Sequence, residues 1–284
     1  MKIEEEYFVK TSEIKLNHLK EFLFSLKAVC IAYSGGVDST FLLKVAKNVL
    51  KDNILAITAT SPTYPQHELK EAIALAQEIG VRHLIISSNE LDIPGFSENN
   101  PSRCYYCKND LFQKLKEEAE KYGISNIADG SNCDDKKDFR PGRKAAEELG
   151  ILSPLIVAGL TKKDIRYLSR QLDLPTWNKP SLACLSSRIP YYETITEEKL
   201  NRIEKAEAFL RELGFTQFRV RHHDGLARIE LITEEMSLLS SNELRSSIYN
   251  VLKKLGFSYV TVDLLGYRSG SLNEVVKAYD KDPL

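Results

Sequence analysis

Apolar positions recur along this chain with two different periods, and their alternation sets the expected fold. Ile14, Leu16, Leu19, Phe22, Leu23 and Leu26 fall at helical spacing and predict a leading helix over 14–26. Apolar runs of strand length follow at 28–33, 53–58, 83–87 and 126–129. Amphipathic stretches lie between them, one opening after Gly36 and running to about Leu50, another over 68–79 and closed by Gly80. Strands alternating with helices predict βα units and a parallel sheet. Such sheets bind ligands beyond the C-terminal ends of their strands, where Ser34, Thr60, Ser61, Asp129, Gly130 and Ser131 all fall.

An irregular insert over 91–103, with Pro94, Gly95 and Pro101, precedes the next helix, and a loop over 133–142 carries Asp134, Asp135, Asp138 and Arg140. Thr161 caps a helix expected from Lys162 to about Leu172. The stretch 174–192 has no clear period, and the domain join is placed near its end. Beyond it the pattern changes. A helix over 196–213, capped by Thr196 and stopped by Gly214, leads into LRELGFTQFRVR at 210–221, which is echoed by LKKLGFSYVTVD at 252–263. Two copies of a helix–turn–strand unit are too few for a solenoid and suit a helix–strand–strand–helix–strand domain. The expected architecture is therefore α/β, a parallel-sheet domain over 1–190 with a smaller α+β C-terminal domain over 191–284.

Asp224-Gly225 predicts a hairpin tip in that second domain. His223 then faces Leu226, Arg221 faces Arg228 and Arg219 faces Glu230, while Val220 meets Ile229 and Phe218 meets Leu231 on the apolar side. Arginines opposed across a ladder are unfavourable unless an anion or a carboxylate joins them. The polar side reads either as a solvated face or as an anion or phosphate site. Glu207 poses a related question, because it sits in the apolar stripe of Leu200, Ile203, Leu210 and Leu213. It is either an edge residue reaching water by its stem or a buried carboxylate needing a partner, a metal or a proton.

Composition adds limits. At 284 residues two domains are favoured over one, and Lys+Arg 39 against Asp+Glu 40 argues against a large nucleic-acid footprint. The N-terminal residues carry no signal-type apolar core and no run approaches membrane-spanning length, so a cytoplasmic protein is expected. Five cysteines then suggest metal or catalysis rather than disulfides. Cys104 and Cys107 form C-x-x-C, which alone reads as a redox pair, a zinc half-site or an iron–sulfur half-site. Cys184 offers a third thiolate, and zinc would want a fourth ligand, for which Cys133 is available. Cys30, inside a strand, reads as a small buried hydrophobe, and the bland alternative is that the other thiols are unrelated.

Ser34-Gly35-Gly36-Val37-Asp38-Ser39-Thr40 lies between an apolar run and an amphipathic start, which makes it a strand, a glycine turn and a helix start. Glycines admit close approach of a ligand to the backbone, and successive N–H groups form an anion nest. Neither G-x-x-x-x-G-K-[ST] nor G-x-G-x-x-G is present. S-G-G-x-D-S instead resembles the PP-loop of the N-type ATP pyrophosphatases, whose domain is adenine nucleotide alpha hydrolase-like. That resemblance implies that Ser34, Gly35, Gly36, Val37, Asp38 and Ser39 grip ATP, with Thr58 and Gly130 completing the site. It also implies Mg²⁺ on Asp38 and cleavage of ATP to AMP and pyrophosphate.

Further segments narrow the resemblance. Lys179-Pro-Ser-Leu-Ala-Cys184-Leu-Ser-Ser-Arg188-Ile-Pro, Gly159-Leu-Thr-Lys-Lys-Asp-Ile-Arg166, Phe218-Arg-Val-Arg221 and Ala227-Arg-Ile-Glu230 resemble the LarE sulfur transferases. The likeness runs from about residue 14 to the end. It implies adenylylation of a carboxylate of a pyridinium-3,5-dicarboxylate mononucleotide and replacement of its oxygen by sulfur, toward the nickel-pincer nucleotide. It implies Cys184, Asp38 and Arg188 as catalytic, Arg219 and Arg221 as ligands of substrate phosphate or carboxylate, and Glu207 and Glu230 in an acidic or metal-binding part of the site. Some members sacrifice a cysteine, whereas others hold a [4Fe-4S] cluster on three. Cys104, Cys107 and Cys184 match the cluster type. Assembly into a homo-oligomer through the C-terminal domain and handover to a nickel-inserting protein are further implications, with no membrane or nucleic-acid partner. The rival readings are a tRNA-thiolating PP-loop enzyme, an ammonia-dependent amide-forming PP-loop ligase, and a non-catalytic nucleotide sensor.

Overall fold

The computed structural model describes residues 2–137, 141–180 and 183–274; Asp138, Arg140, Ser181 and Leu182 of the segments above lie outside them. The chain divides into two compact units, one of Met1–Asn89 with Cys104–Leu182, the other of Glu90–Arg103 with Ala183–Leu284. No helix among the described residues is long and apolar enough to cross a membrane.

The first unit runs α1 (Lys2–Leu26), β1 (Val29–Ala32), α2 (Val37–Leu50), β2 (Ile54–Thr60), α3 (Gln66–Ile79), β3 (Arg82–Ser87), α4 (Arg103–Glu120), β4 (Ile127–Ala128), α5 (Pro141–Glu148), α6 (Pro154–Val157) and α7 (Lys162–Gln171). Its four strands are all parallel, in the order β3-β2-β1-β4. This is the α/β parallel-sheet architecture that the alternating pattern predicts. Strand side chains alternate between two cores, as period two requires. Val29 and Ile31 join Leu19, Leu23, Phe41 and Leu42 on one face, while Cys30 joins Leu55, Phe112 and Leu115 on the other. Burial pushes the Cys30 thiol up to about 12, so it behaves as a small hydrophobe.

Helix α1 begins twelve residues before its apolar stripe. Contacts that carry no periodicity hold its N-terminal part: Phe8 meets Tyr167 edge-on, Ser12 Oγ donates to Asp164 Oδ1, and Lys15 Nζ pairs with Asp164 Oδ2 at 2.7 Å. Asp164 also closes a capping box with Thr161, fixing the start of α7 where the cap was expected.

The second unit contains α8 (Glu197–Glu212), β5 (Phe218–His223), β6 (Leu226–Leu231), α9 (Thr233–Met236), α10 (Asn242–Lys254) and β7 (Tyr259–Val262), with sheet order β5-β6-β7. This is the smaller α+β fold. The β5–β6 register pairs Phe218 with Leu231, Arg219 with Glu230, Val220 with Ile229 and Arg221 with Arg228, as the turn at Asp224-Gly225 requires. The internal echo has a structural reason. Leu210 and Leu252 are fully buried, Gly214 (φ 92°) and Gly256 (φ 98°) end their helices in a left-handed turn, and Phe215 and Phe257 plug the same core.

The insert belongs with this unit. Buried Asn99 donates its amide to the carbonyls of Ile189, Pro190 and Glu193, and Ile195 N–H donates to Ser97 O at 2.9 Å.

Candidate active site

The phosphate-type loop leaves the C-terminal end of β1. Gly35 takes φ +65°, a region that L side chains avoid, and a Cβ there would stand 2.8 Å from Ala72 Cβ on α3. Ser39 Oγ accepts from Ser34 N–H at 3.2 Å and lies 3.1 Å from Ser34 Oγ, which draws the two ends of the loop together. Gly130, just past β4, comes nearly as close; a Cβ there would sit 3.0 Å from Ser39 N. Thr58 is buried, donating its hydroxyl to Tyr33 O at 2.7 Å and meeting His83 Nε2 at 2.8 Å. It braces the strand end beneath the loop.

Asp38 stands on the first turn of α2. Lys162 Nζ pairs with its Oδ2, while its buried Oδ1 has no hydrogen-bond partner. Burial pushes the Asp38 carboxyl above its ordinary value, against the opposing pull of Lys162. An orphaned carboxylate oxygen beside an anion nest fits a hard divalent cation. Mg²⁺ commonly takes one or two carboxylates and completes its shell with phosphate oxygens and water. Among the described residues no group of three or more His, Cys, Asp or Glu side chains could hold a metal, so phosphate would have to supply the rest.

Two lysines, Lys162 and Lys179, reach the loop from far along the chain. A lysine at the first position of a helix opposes the macrodipole, and that is a signal for Lys162. Lys179 carries no local signal; it pairs with Glu68 at 2.6 Å and Glu71 at 2.7 Å and points at Gly35 O.

Cys104 and Cys107 lie three residues apart on the first turn of α4, a spacing that puts both on one helix face. Cys184 is exposed and belongs to the second unit, where it precedes a 3₁₀ turn at Leu185–Arg188. Cys133 is half-buried, with Sγ 3.9 Å from Ile156 O.

The Cys184 turn is wrapped around buried Arg188. Its Nη1 donates to Ala183 O at 2.7 Å and Cys184 O at 3.0 Å, and its other nitrogens fork onto Glu207. Glu207 also accepts Val220 N–H at 3.0 Å. Burial would raise its carboxyl, but Arg188 outweighs that and holds it below the usual range. Of the two readings of Glu207, the buried carboxylate with a partner is the one observed. Arg221 Nη1 adds a bond to Ser187 O at 2.6 Å.

The polar side of the hairpin is an ion-pair network rather than a solvated face. Fully buried Glu230 stands between Arg221 (2.8 Å) and Arg228 (3.3 Å), and Ser271 Oγ approaches it at 3.3 Å. A carboxylate thus joins the opposed arginines. Arg219 lies opposite Glu230 in register, yet its guanidinium stacks 5.2 Å above the Tyr267 ring.

Comparisons with known proteins bear on these features. The family model for NAD synthase matches residues 13–104, the stretch that holds the loop. The chain is 46% identical over 264 residues to an uncharacterized protein of Synechocystis, covering 93% of this chain and 98% of that one. It is 38% identical over 255 residues to the pyridinium-3,5-bisthiocarboxylic acid mononucleotide synthase of Lactiplantibacillus plantarum, covering 89% and 92%. An uncharacterized protein of Methanocaldococcus jannaschii is 34% identical over 257 residues, covering 90% and 97%. Fold, loop and relatives define a PP-loop enzyme of the sulfur-transfer kind. The chain belongs to the LarE family.

Proposed function

We propose that this enzyme uses ATP to exchange carboxylate oxygen for sulfur on pyridinium-3,5-biscarboxylic acid mononucleotide, serving nickel-pincer nucleotide synthesis. The observation that carries the reading is the left-handed Gly35 turn beside the orphaned Asp38 oxygen, in a chain that aligns over most of its length with the synthase from L. plantarum.

A carboxylate oxygen is a poor leaving group; attack of that oxygen on the α-phosphorus of ATP would expel pyrophosphate and give an acyl-AMP mixed anhydride, from which sulfide can displace AMP. The loop N–H groups would meet the β,γ-phosphates, and Asp38 would hold Mg²⁺, which neutralises charge on the departing pyrophosphate. Lys162 would be released toward phosphate as the cation takes Asp38. Arg219, stacked on Tyr267, is the proposed cationic group for substrate phosphate or carboxylate; Arg188 and Arg221, already matched by Glu207 and Glu230, would have to exchange those carboxylates for the substrate. A cation at Glu207 and Glu230 would have to displace the arginines that already match them. Cys104, Cys107 and Cys184 are the proposed holders of a [4Fe-4S] cluster; three thiolates would leave one iron without a protein ligand, and that iron would carry the extra sulfide to be transferred.

The test is iron and acid-labile sulfide per chain after anaerobic reconstitution, on wild type and Cys184→Ala side by side. About four irons in wild type and sharply fewer in the variant are expected. Little iron in either would overturn the cluster and make Cys184 a candidate sacrificial donor.

A further inference from the structure

Two successive carbonyls of the phosphate loop are held from outside it. Tyr64, on the turn between β2 and α3, donates its phenol to Ser34 O at 2.8 Å. Lys179 Nζ approaches Gly35 O at 3.4 Å while it is pinned by Glu68 and Glu71. In a trans peptide the C=O and the following N–H point in opposite directions. Anchoring Ser34 O therefore aims Gly35 N–H the other way, and anchoring Gly35 O does the same for Gly36 N–H. These are the donors an anion nest needs.

We propose that Tyr64 and Lys179 are positioning residues that preset the Gly35 and Gly36 amides for the β,γ-phosphates of a nucleoside triphosphate. This rests on the phosphate-loop reading above. Both anchors are built to stay protonated. Burial, with Glu68, Tyr33 and Glu71 nearby, pushes the Tyr64 phenol up. Burial alone would lower Lys179, but its bonds to Glu68 and Glu71 outweigh that and hold it above the ordinary lysine value. With its charge matched by two carboxylates, Lys179 is poorly placed to be a phosphate ligand itself. Its donor role toward the loop is what remains.

The test is calorimetric titration of the full chain, with Mg²⁺, by ATP, inorganic pyrophosphate and AMP. Tyr64→Phe deletes one hydroxyl and should weaken ATP and pyrophosphate about fivefold, the scale of one hydrogen bond, with AMP unchanged. Lys179→Met should do the same or more, and Lys179→Arg should restore much of it. The phenylalanine variant stands as the independent test should Lys179→Met fail to fold. Unchanged ATP affinity in Tyr64→Phe, or ATP and AMP falling together, would overturn the proposal. If wild type binds none of the three, the phosphate-loop reading itself fails and takes this one with it.

Discussion

Arg188 and Glu207 meet as a fork, Nε to Oε1 at 2.8 Å and Nη2 to Oε2 at 2.9 Å, with both side chains almost excluded from water. The third nitrogen of that guanidinium holds the carbonyls of Ala183 and Cys184. One buried pair therefore joins the core of the second unit to the turn that presents the exposed thiol.

Removing one member strands the other. Arg188→Met should cost about 3–5 kcal/mol in urea unfolding and speed modification of Cys184 by a thiol reagent, whereas Arg188→Met with Glu207→Met should recover much of the stability. Because the folded-state pKa of Glu207 lies below its ordinary 4.5, the pair's contribution is complete above that value and is lost as pH falls through the folded pKa. Wild type should lose stability below about pH 4.5 more steeply than the double variant. Parallel acid profiles would contradict this account.

Asp38 is costly to the free protein. Its pKa is raised on folding, so above the folded pKa the ionised carboxylate opposes folding, and this cost fades as pH falls through that pKa. Asp38→Asn removes the cost together with an ion pair whose lysine is one-third exposed, and its stability at pH 7 should stay within about 1 kcal/mol of wild type or exceed it. ATP affinity in the variant should no longer respond to Mg²⁺. A variant that is strongly destabilised, yet still Mg²⁺-responsive, would make the Asp38–Lys162 pair purely structural.

Gly35 combines a left-handed backbone with contact to Ala72. Gly35→Ala should lose about 1–2 kcal/mol to backbone strain and a further 1–3 kcal/mol to overpacking. Adding Ala72→Gly should return only part of the overpacking loss, because Ala72 Cα would still stand 3.1 Å from the new Cβ and a glycine inside α3 costs about 1 kcal/mol of its own, read by urea midpoints. ATP binding should stay impaired in both, since the strain is at the nest itself. Full rescue by Ala72→Gly would show that the clash, and not the left-handed turn, dominates.

Local rules made much of this chain legible in advance. The period-two pattern around Asp224-Gly225 specifies the β5–β6 register, because a one-residue slip would turn Val220 and Ile229 out of the core. The Thr161 cap, the Gly80 stop and the Gly35-Gly36 loop follow from the conformations those residues favour or tolerate. What could not be read is what depends on residues far apart in the chain. Lys162 meets Asp38 across 124 positions, Asn99 reaches the carbonyls around Pro190, and Lys179 reaches Gly35. The partner of Glu207 was open for the same reason, and at Glu230 the register placed Arg219 opposite while the fold turned Arg221 and Arg228 onto the carboxylate instead. A buried charge states in the sequence that it needs a counter-charge, but only chain folding brings a particular arginine to it, because ion pairs carry no period and no fixed spacing.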